Sequence, residues 1–250
     1  VKILYTIILL TLTLTFTACK KESDNSTCKL IEAVTYNSSG NIIDKIIYEY
    51  DNKQRVSKII YGISGYYSIV FNYYSDSIVT IGNLTTAINY YLKNGRIDSA
   101  YNGMPTAPQQ WEFGYNYTYD SDGFIIAERQ INNFLENGTI ISDTNYRNYT
   151  IQNGNIIRIS DTYWTNDEIY EYSNVARPEN NPALSIADQR IPGVLIKLSK
   201  NLVSIKKSPS GDVRFQYSYL YDKRGNIKEM IVKNSQNTLF NRTIYSYSCN

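Results

Sequence analysis

The chain contains no histidine. That removes the commonest general base and the commonest metal ligand from any mechanism proposed for it. Methionine and tryptophan occur twice each, proline six times and cysteine three times. Basic and acidic residues nearly cancel, 25 against 23, and no block of lysine and arginine interrupts the pattern. Nucleic acid is therefore not an expected partner. There is no glycine-rich phosphate loop and no serine or cysteine in a nucleophile motif. No stretch carries convincing helical periodicity. No cofactor and no metal are expected, and the reading is non-catalytic.

The first eighteen residues differ from the rest. Lys2 is their only charge, and Ile3 to Phe16 is apolar apart from threonines and one tyrosine. That run is too short for a comfortable helical span of about 20 residues. A basic start, a short apolar core and small residues before a cleavage point predict a secretory signal over 1–18. Thr17-Ala18-Cys19 resembles the lipobox of bacterial lipoproteins, which implies cleavage before Cys19 and diacylglycerol on its sulfur. Residues 19–27 read as a flexible tether, since Lys20 to Thr27 holds no apolar residue. Residues 28–250 read as one domain, long enough to bury a core.

Tyrosine dominates what remains, at 25 residues, and isoleucine is abundant. Both favour pleated, half-buried strands. Phe113, Tyr115, Tyr117 and Tyr119 alternate with polar neighbours, as do Tyr67, Ile69, Phe71 and Tyr73. Val213 through Tyr221 repeats the pattern. Ser39-Gly40, Asn94-Gly95, Asp122-Gly123, Asn137-Gly138, Asn153-Gly154 and Arg224-Gly225 read as tight turns. The expectation is about fourteen to sixteen short strands in an antiparallel meander. Residues 175–200 break the pattern with three prolines. Pro182 to Arg190 predicts two helical turns, and the region is expected to pack on the sheet as a plug or crossover.

Three segments share the form Tyr-x-Tyr-Asp, then a turn, then an apolar restart. They begin at Tyr48, Tyr117 and Tyr219, with shorter echoes at Tyr91–Ile97 and Ile151–Ile156. The pattern resembles the YD repeats of secreted bacterial shell proteins. It also resembles tyrosine-rich lipoproteins of the Bacteroidota, a family of unknown function with a porin-like fold. The resemblance covers most of the mature chain, including the lipobox and the run Leu198-Ser199-Lys200-Asn201-Leu202. It implies a surface or periplasmic protein held to the outer membrane by lipid, and Glu22 and Asp24 behind Cys19 partly match a surface-export signal.

Candidate chemistry is sparse. Asp120-Ser121-Asp122-Gly123 looks like a fragment of a calcium loop but fits a plain turn better. Glu112, Asp161, Asp167, Glu168 and Glu171 could supply a carboxylate pair for hydrolysis, though no spacing selects two of them. Trp111 and Trp164 adjoin polar turn residues and are the candidate stacking surfaces for a glycan, peptide or lipid. In an oxidising compartment, Cys28 and Cys249 are expected to form a disulfide.

The fold expected is all-β: one curved antiparallel meander, open or partly closed. A membrane-spanning porin is the structural alternative, disfavoured by charges in both phases of many strands, such as Asp44 and Lys45. The leading function is a non-catalytic binding lipoprotein with a concave aromatic surface. A structural or lipid-handling role and a histidine-free hydrolase are the alternatives.

Overall fold

A computed structural model describes residues 28–63, 67–82, 87–102, 112–136, 139–162, 167–178 and 197–249. They form sixteen strands, each paired antiparallel with its sequence neighbours, and β1 pairs with β16. The barrel is closed. The open or partly closed meander expected from the sequence is therefore corrected: eight register pairs between β1 (Lys29–Asn37) and β16 (Leu239–Ser248) join the two ends of the sheet. Closure satisfies the backbone groups that an open sheet would leave on two edges. No helix occurs among the described residues. The helical turns expected at 182–190, and the packing expected of most of 175–200, lie outside them.

The other strands are β2 (Ile42–Tyr50), β3 (Val56–Tyr61), β4 (Tyr67–Tyr73), β5 (Ser77–Gly82), β6 (Ala87–Lys93), β7 (Arg96–Asn102) and β8 (Glu112–Tyr119). After them come β9 (Ile125–Glu136), β10 (Thr139–Gln152), β11 (Asn155–Asp161), β12 (Glu168–Ala176), β13 (Asn201–Lys207), β14 (Val213–Tyr221) and β15 (Ile227–Asn234). Even strands end, and odd strands begin, at the same end of the barrel. That end, here the floor, also carries Cys28 and Cys249. The opposite end is the mouth.

The floor is built by repetition. Each odd strand opens with a buried aliphatic residue: Leu30, Val56, Ile78, Ile97, Ile125, Ile156, Val203 and Ile227, none more than 7% exposed. In seven of these strands the register slips by one residue directly after the aliphatic. Such bulges bend the strand and raise its twist. They also put the next inward side chain three positions on: Ala33, Ile59, Ala100, Glu128, Ile159, Lys206 and Met230. Even strands keep alternation toward the floor, and β2, β14 and β16 slip register only near the mouth. Each even strand places one aromatic side chain above the aliphatic ring: Tyr48, Phe71, Tyr90, Tyr117, Tyr149, Tyr170, Tyr217 and Tyr245.

Two residues later in the even strands, six tyrosines clasp the ring. Their hydroxyls donate to backbone carbonyls of the aliphatic residues: Tyr50 to Leu30, Tyr73 to Val56, Tyr119 to Ile97, Tyr172 to Ile156, Tyr219 to Val203 and Tyr247 to Ile227, at 2.6–3.0 Å. Each carries a ring into the core and satisfies its polar end there. Leu92 and Ile151 occupy the two remaining positions and have no hydroxyl to give.

The aspartate of Tyr-x-Tyr-Asp closes the turn that follows. The Oδ1 of Asp222 accepts from the amides of Arg224 and Asn226, and that of Asp51 from Lys53 and Arg55. The Oδ1 of Asp120 accepts from the Phe124 amide. Gly123 and Gly225 sit at φ of 90° and 86°, which a side chain would resist.

Between β11 and β12 only two residue pairs are in register. Toward the floor the gap is filled by 197–201. Ser199 Oγ accepts from the Ile156 amide and lies 3.0 Å from the Tyr172 hydroxyl, while the Asn201 amide donates to Asn155 Oδ1.

Candidate binding site in the barrel lumen

Above the aromatic layer, the arc of wall running from β9 through β16 to β2 divides into two unlike halves. Five neighbouring strands, β9 to β13, each contribute an inward charge: Glu128, Arg147, Asp161, Glu168 and Lys206. Register places Glu128 opposite Arg147 and Arg147 opposite Asp161. The Arg147 guanidinium donates to Asp161 through Nε at 3.0 Å and Nη2 at 2.8 Å, and both side chains are largely buried. Lys206 pairs with Glu168 at 2.5 Å. Glu128 is 1% exposed, and the Tyr149 hydroxyl donates to its Oε2 at 3.4 Å. The Tyr170 hydroxyl donates to Glu168. Burial, reinforced by the Glu168 charge, pushes the Tyr170 phenol far up, and the same two causes raise Tyr217 to about 12.

The other half, β14 to β16 with β1 and β2, lines an open cavity of about 440 Å³. Its walls are apolar: Ala33, Ile46, Phe215, Met230 and Val232, with Tyr217 and Tyr245 toward the floor. Ile43 and Phe240 line it at the mouth, where Phe240 packs on Phe215 with ring centres 5.0 Å apart. Four polar groups break the apolar wall. The Thr35 and Thr243 hydroxyls are 3.0 Å apart. Asp44 faces inward, and the buried Asn241 Oδ1 has no hydrogen-bond partner. An unpaired buried acceptor costs free energy unless a donor arrives. The halves meet at Phe215, which is opposite Lys206 in register, and at Tyr217. Among the described residues, inward acids (Asp44, Glu128, Asp143, Asp161, Glu168) outnumber the inward cations Arg147 and Lys206, so this part of the lumen is negative.

The residues singled out in the sequence fall in several places. Asp161 and Glu168 lie in the lumen, each engaged by a cation. Asp167 and Glu171 face outward and pair with Arg158 and Lys207. Asp120 is occupied by its own turn, and the described residues hold no cluster able to bind a metal. Cys28 and Cys249 are joined by a disulfide with α-carbons 4.0 Å apart, at the floor end of the β1–β16 seam. Cys19, Trp111, Trp164 and the Glu112 side chain lie outside the described residues. Sequence reasoning passed over Glu128, Arg147 and Lys206; their signal is inward phase, which the bulges conceal for Glu128 and Lys206, while Arg147 keeps phase with Tyr149.

No family model matches the chain, and no curated protein matches it. Solved structures do. A porin-like protein from Bacteroides uniformis superposes with a TM-score of 0.62 at 12% identity, over 88% of this chain and 98% of that one. A porin-like protein from Bacteroides vulgatus gives 0.61 at 11%, over 88% and 99%. The chain thus has the fold of these porin-like proteins, a closed antiparallel barrel.

Proposed function

We propose that this chain is a non-catalytic binding protein whose barrel is a cup, closed at the floor and open at the mouth. It takes a small amphiphile, with the apolar body in the cavity and a cationic or donor-bearing head toward Asp44 and Asn241. One observation carries the reading: an apolar cavity with an unmatched buried acceptor sits beside a negative wall. The volume is in the range of small-molecule sites. The buried aliphatic and aromatic rings at the floor support a cup rather than a conduit.

The likeness to porin-like structures supports an outer-membrane location. The surface chemistry supports attachment there through a lipid on Cys19 rather than insertion. The outer wall carries cross-strand ion pairs, Glu32 with Lys45 at 2.6 Å and Glu229 with Arg242 at 3.8 Å. Nine of the sixteen strands have six to eight residues, short of the roughly 9–11 a spanning strand needs. Lipid would penalise both features.

The test is binding of alkyl amines and fatty acids of equal chain length below micelle formation, followed by calorimetry. The amine should bind more tightly, and Val232→Trp, which fills the cavity, should abolish binding while the melting transition stays cooperative. Equal binding of amine and acid, unaffected by Val232→Trp, would overturn the reading.

A further inference from the structure

Among the described residues, the two ends of the barrel differ in charge. At the floor, the β2–β3 turn presents Lys53 and Arg55, and Lys93 and Arg96 flank the β6–β7 turn. Lys197 and Lys200 precede β13, and Lys223 and Arg224 lie in the β14–β15 turn. These eight basic residues are exposed, against three exposed aspartates there, Asp76, Asp98 and Asp122. Asp51 pairs with Arg55 at 2.7 Å, and Asp120 and Asp222 keep their charge within their turns, so the described floor carries a modest basic excess. At the mouth, the described turns carry no lysine or arginine.

Part of this basic set is anchored over the clasp. The Arg55 guanidinium lies 4.0 Å from the centre of the Tyr73 ring, Arg96 5.7 Å from that of Tyr119, and the Lys197 ammonium 4.3 Å from that of Phe124. Cation–π contact holds Arg96 and Lys197 without neutralising them, whereas Arg55 is also paired with Asp51. The floor is thus a positive surface held by the most buried layer of the molecule.

Cys28 lies at the same end. Nine residues separate it from Cys19, which can span at most about 30 Å. We infer that the floor docks on the anionic phospholipid headgroups of the bilayer that holds the anchor, so that the mouth faces away. The inference rests on the anchoring reading for its geometry and on the floor charges for its partner. Phosphate-bearing membranes attract basic surfaces at close range, and salt screens the attraction.

The test uses the protein purified from its own membranes and placed in vesicles of phosphatidylcholine alone or with about one-third phosphatidylglycerol, a fraction chosen to give a clear negative surface potential. Lysines are labelled with an amine-reactive reagent and read by peptide mass spectrometry. Lys53, Lys93 and Lys223 should be protected several-fold in the anionic vesicles and lose that protection at high salt. Lys207 and Lys233, toward the mouth, should label equally in both. Lys53→Glu with Lys223→Glu should remove the protection of Lys93. Equal labelling of the floor lysines in both vesicles, or protection of Lys207 and Lys233 instead, would overturn the docking. The same spectra report the Cys19 peptide, so an unmodified Cys19 with floor protection intact would sink the anchor and leave the docking standing.

Discussion

The Tyr50 hydroxyl donates to the carbonyl oxygen of Leu30 at 2.6 Å, tying the end of β2 to the start of β1, and five other tyrosines repeat the bond around the floor. Each bond removes a phenol and a backbone carbonyl from competition with water in a buried layer. Such a bond contributes about 1 kcal/mol net, and more is lost when its partner stays buried. Tyr50→Phe or Tyr172→Phe should each lower stability by about 1–2 kcal/mol. The two sites share no partner, so the double variant should lose the sum. Urea denaturation followed by circular dichroism measures this. Unchanged midpoints would mean that the clasp is incidental.

The same layer sets an alkaline limit. Burial raises the Tyr50, Tyr119 and Tyr172 phenols from 10 to about 12. A pKa raised in the folded state means the unfolded chain gives up its phenolic protons first. The stability is fully present below pH 10 and falls as pH rises from 10 through 12. Thermal midpoints should be flat between pH 8 and 9 and fall steeply above 10. Phenolate absorbance should show an early exposed group of tyrosines and a late group that appears with unfolding. A single early titration in the folded protein would contradict the buried floor.

The disulfide closes a chain of 221 residues' separation at the β1–β16 seam. In the loop-entropy picture such a closure is worth roughly 5 kcal/mol, with measured values often lower. Reduction, or Cys249→Ser, should lower the melting temperature clearly while leaving the β-sheet signal at room temperature, because the seam is also paired along its length. No change in melting on reduction would show that the strand pairs alone hold the seam.

Arg147 sits between two acids, with Glu128 and Asp161 opposite it in register. Arg147→Ala should cost about 3–5 kcal/mol, because it leaves buried carboxylates uncompensated. Arg147→Leu with Asp161→Leu should cost less than Arg147→Ala, since the pair is removed together. A double variant less stable than the single would mean that the belt is a net stabiliser of the fold.

The floor-side halves of even strands were readable because they keep period two: Phe113, Tyr115, Tyr117 and Tyr119 alternate in sequence and share the inward face. Odd strands were not, because a bulge after Val56, Ile97 or Ile227 moves the next inward residue from two positions to three. Glu128 thus reads as one of several polar residues on β9, when it is among the most buried side chains in the molecule. Closure was also hidden. Nothing local to Lys29–Asn37 names Leu239–Ser248 as a partner; only the cysteines at the two ends hint at it. The Tyr-x-Tyr-Asp segments at Tyr48, Tyr117 and Tyr219, and the echoes at Leu92 and Ile151, all proved to be floor corners of one ring. Their uneven spacing reflects strands and mouth loops of different length.

The central claim is that the lumen is a cup that holds an amphiphile. Native mass spectrometry of the protein released gently from its membranes tests it most directly, with Val232→Trp prepared alongside. The account predicts a bound apolar molecule carrying an amine or hydroxyl head in the wild type and an empty Val232→Trp protein of unchanged fold. An empty wild-type lumen, together with ion conductance of the purified protein across a planar bilayer, would contradict it.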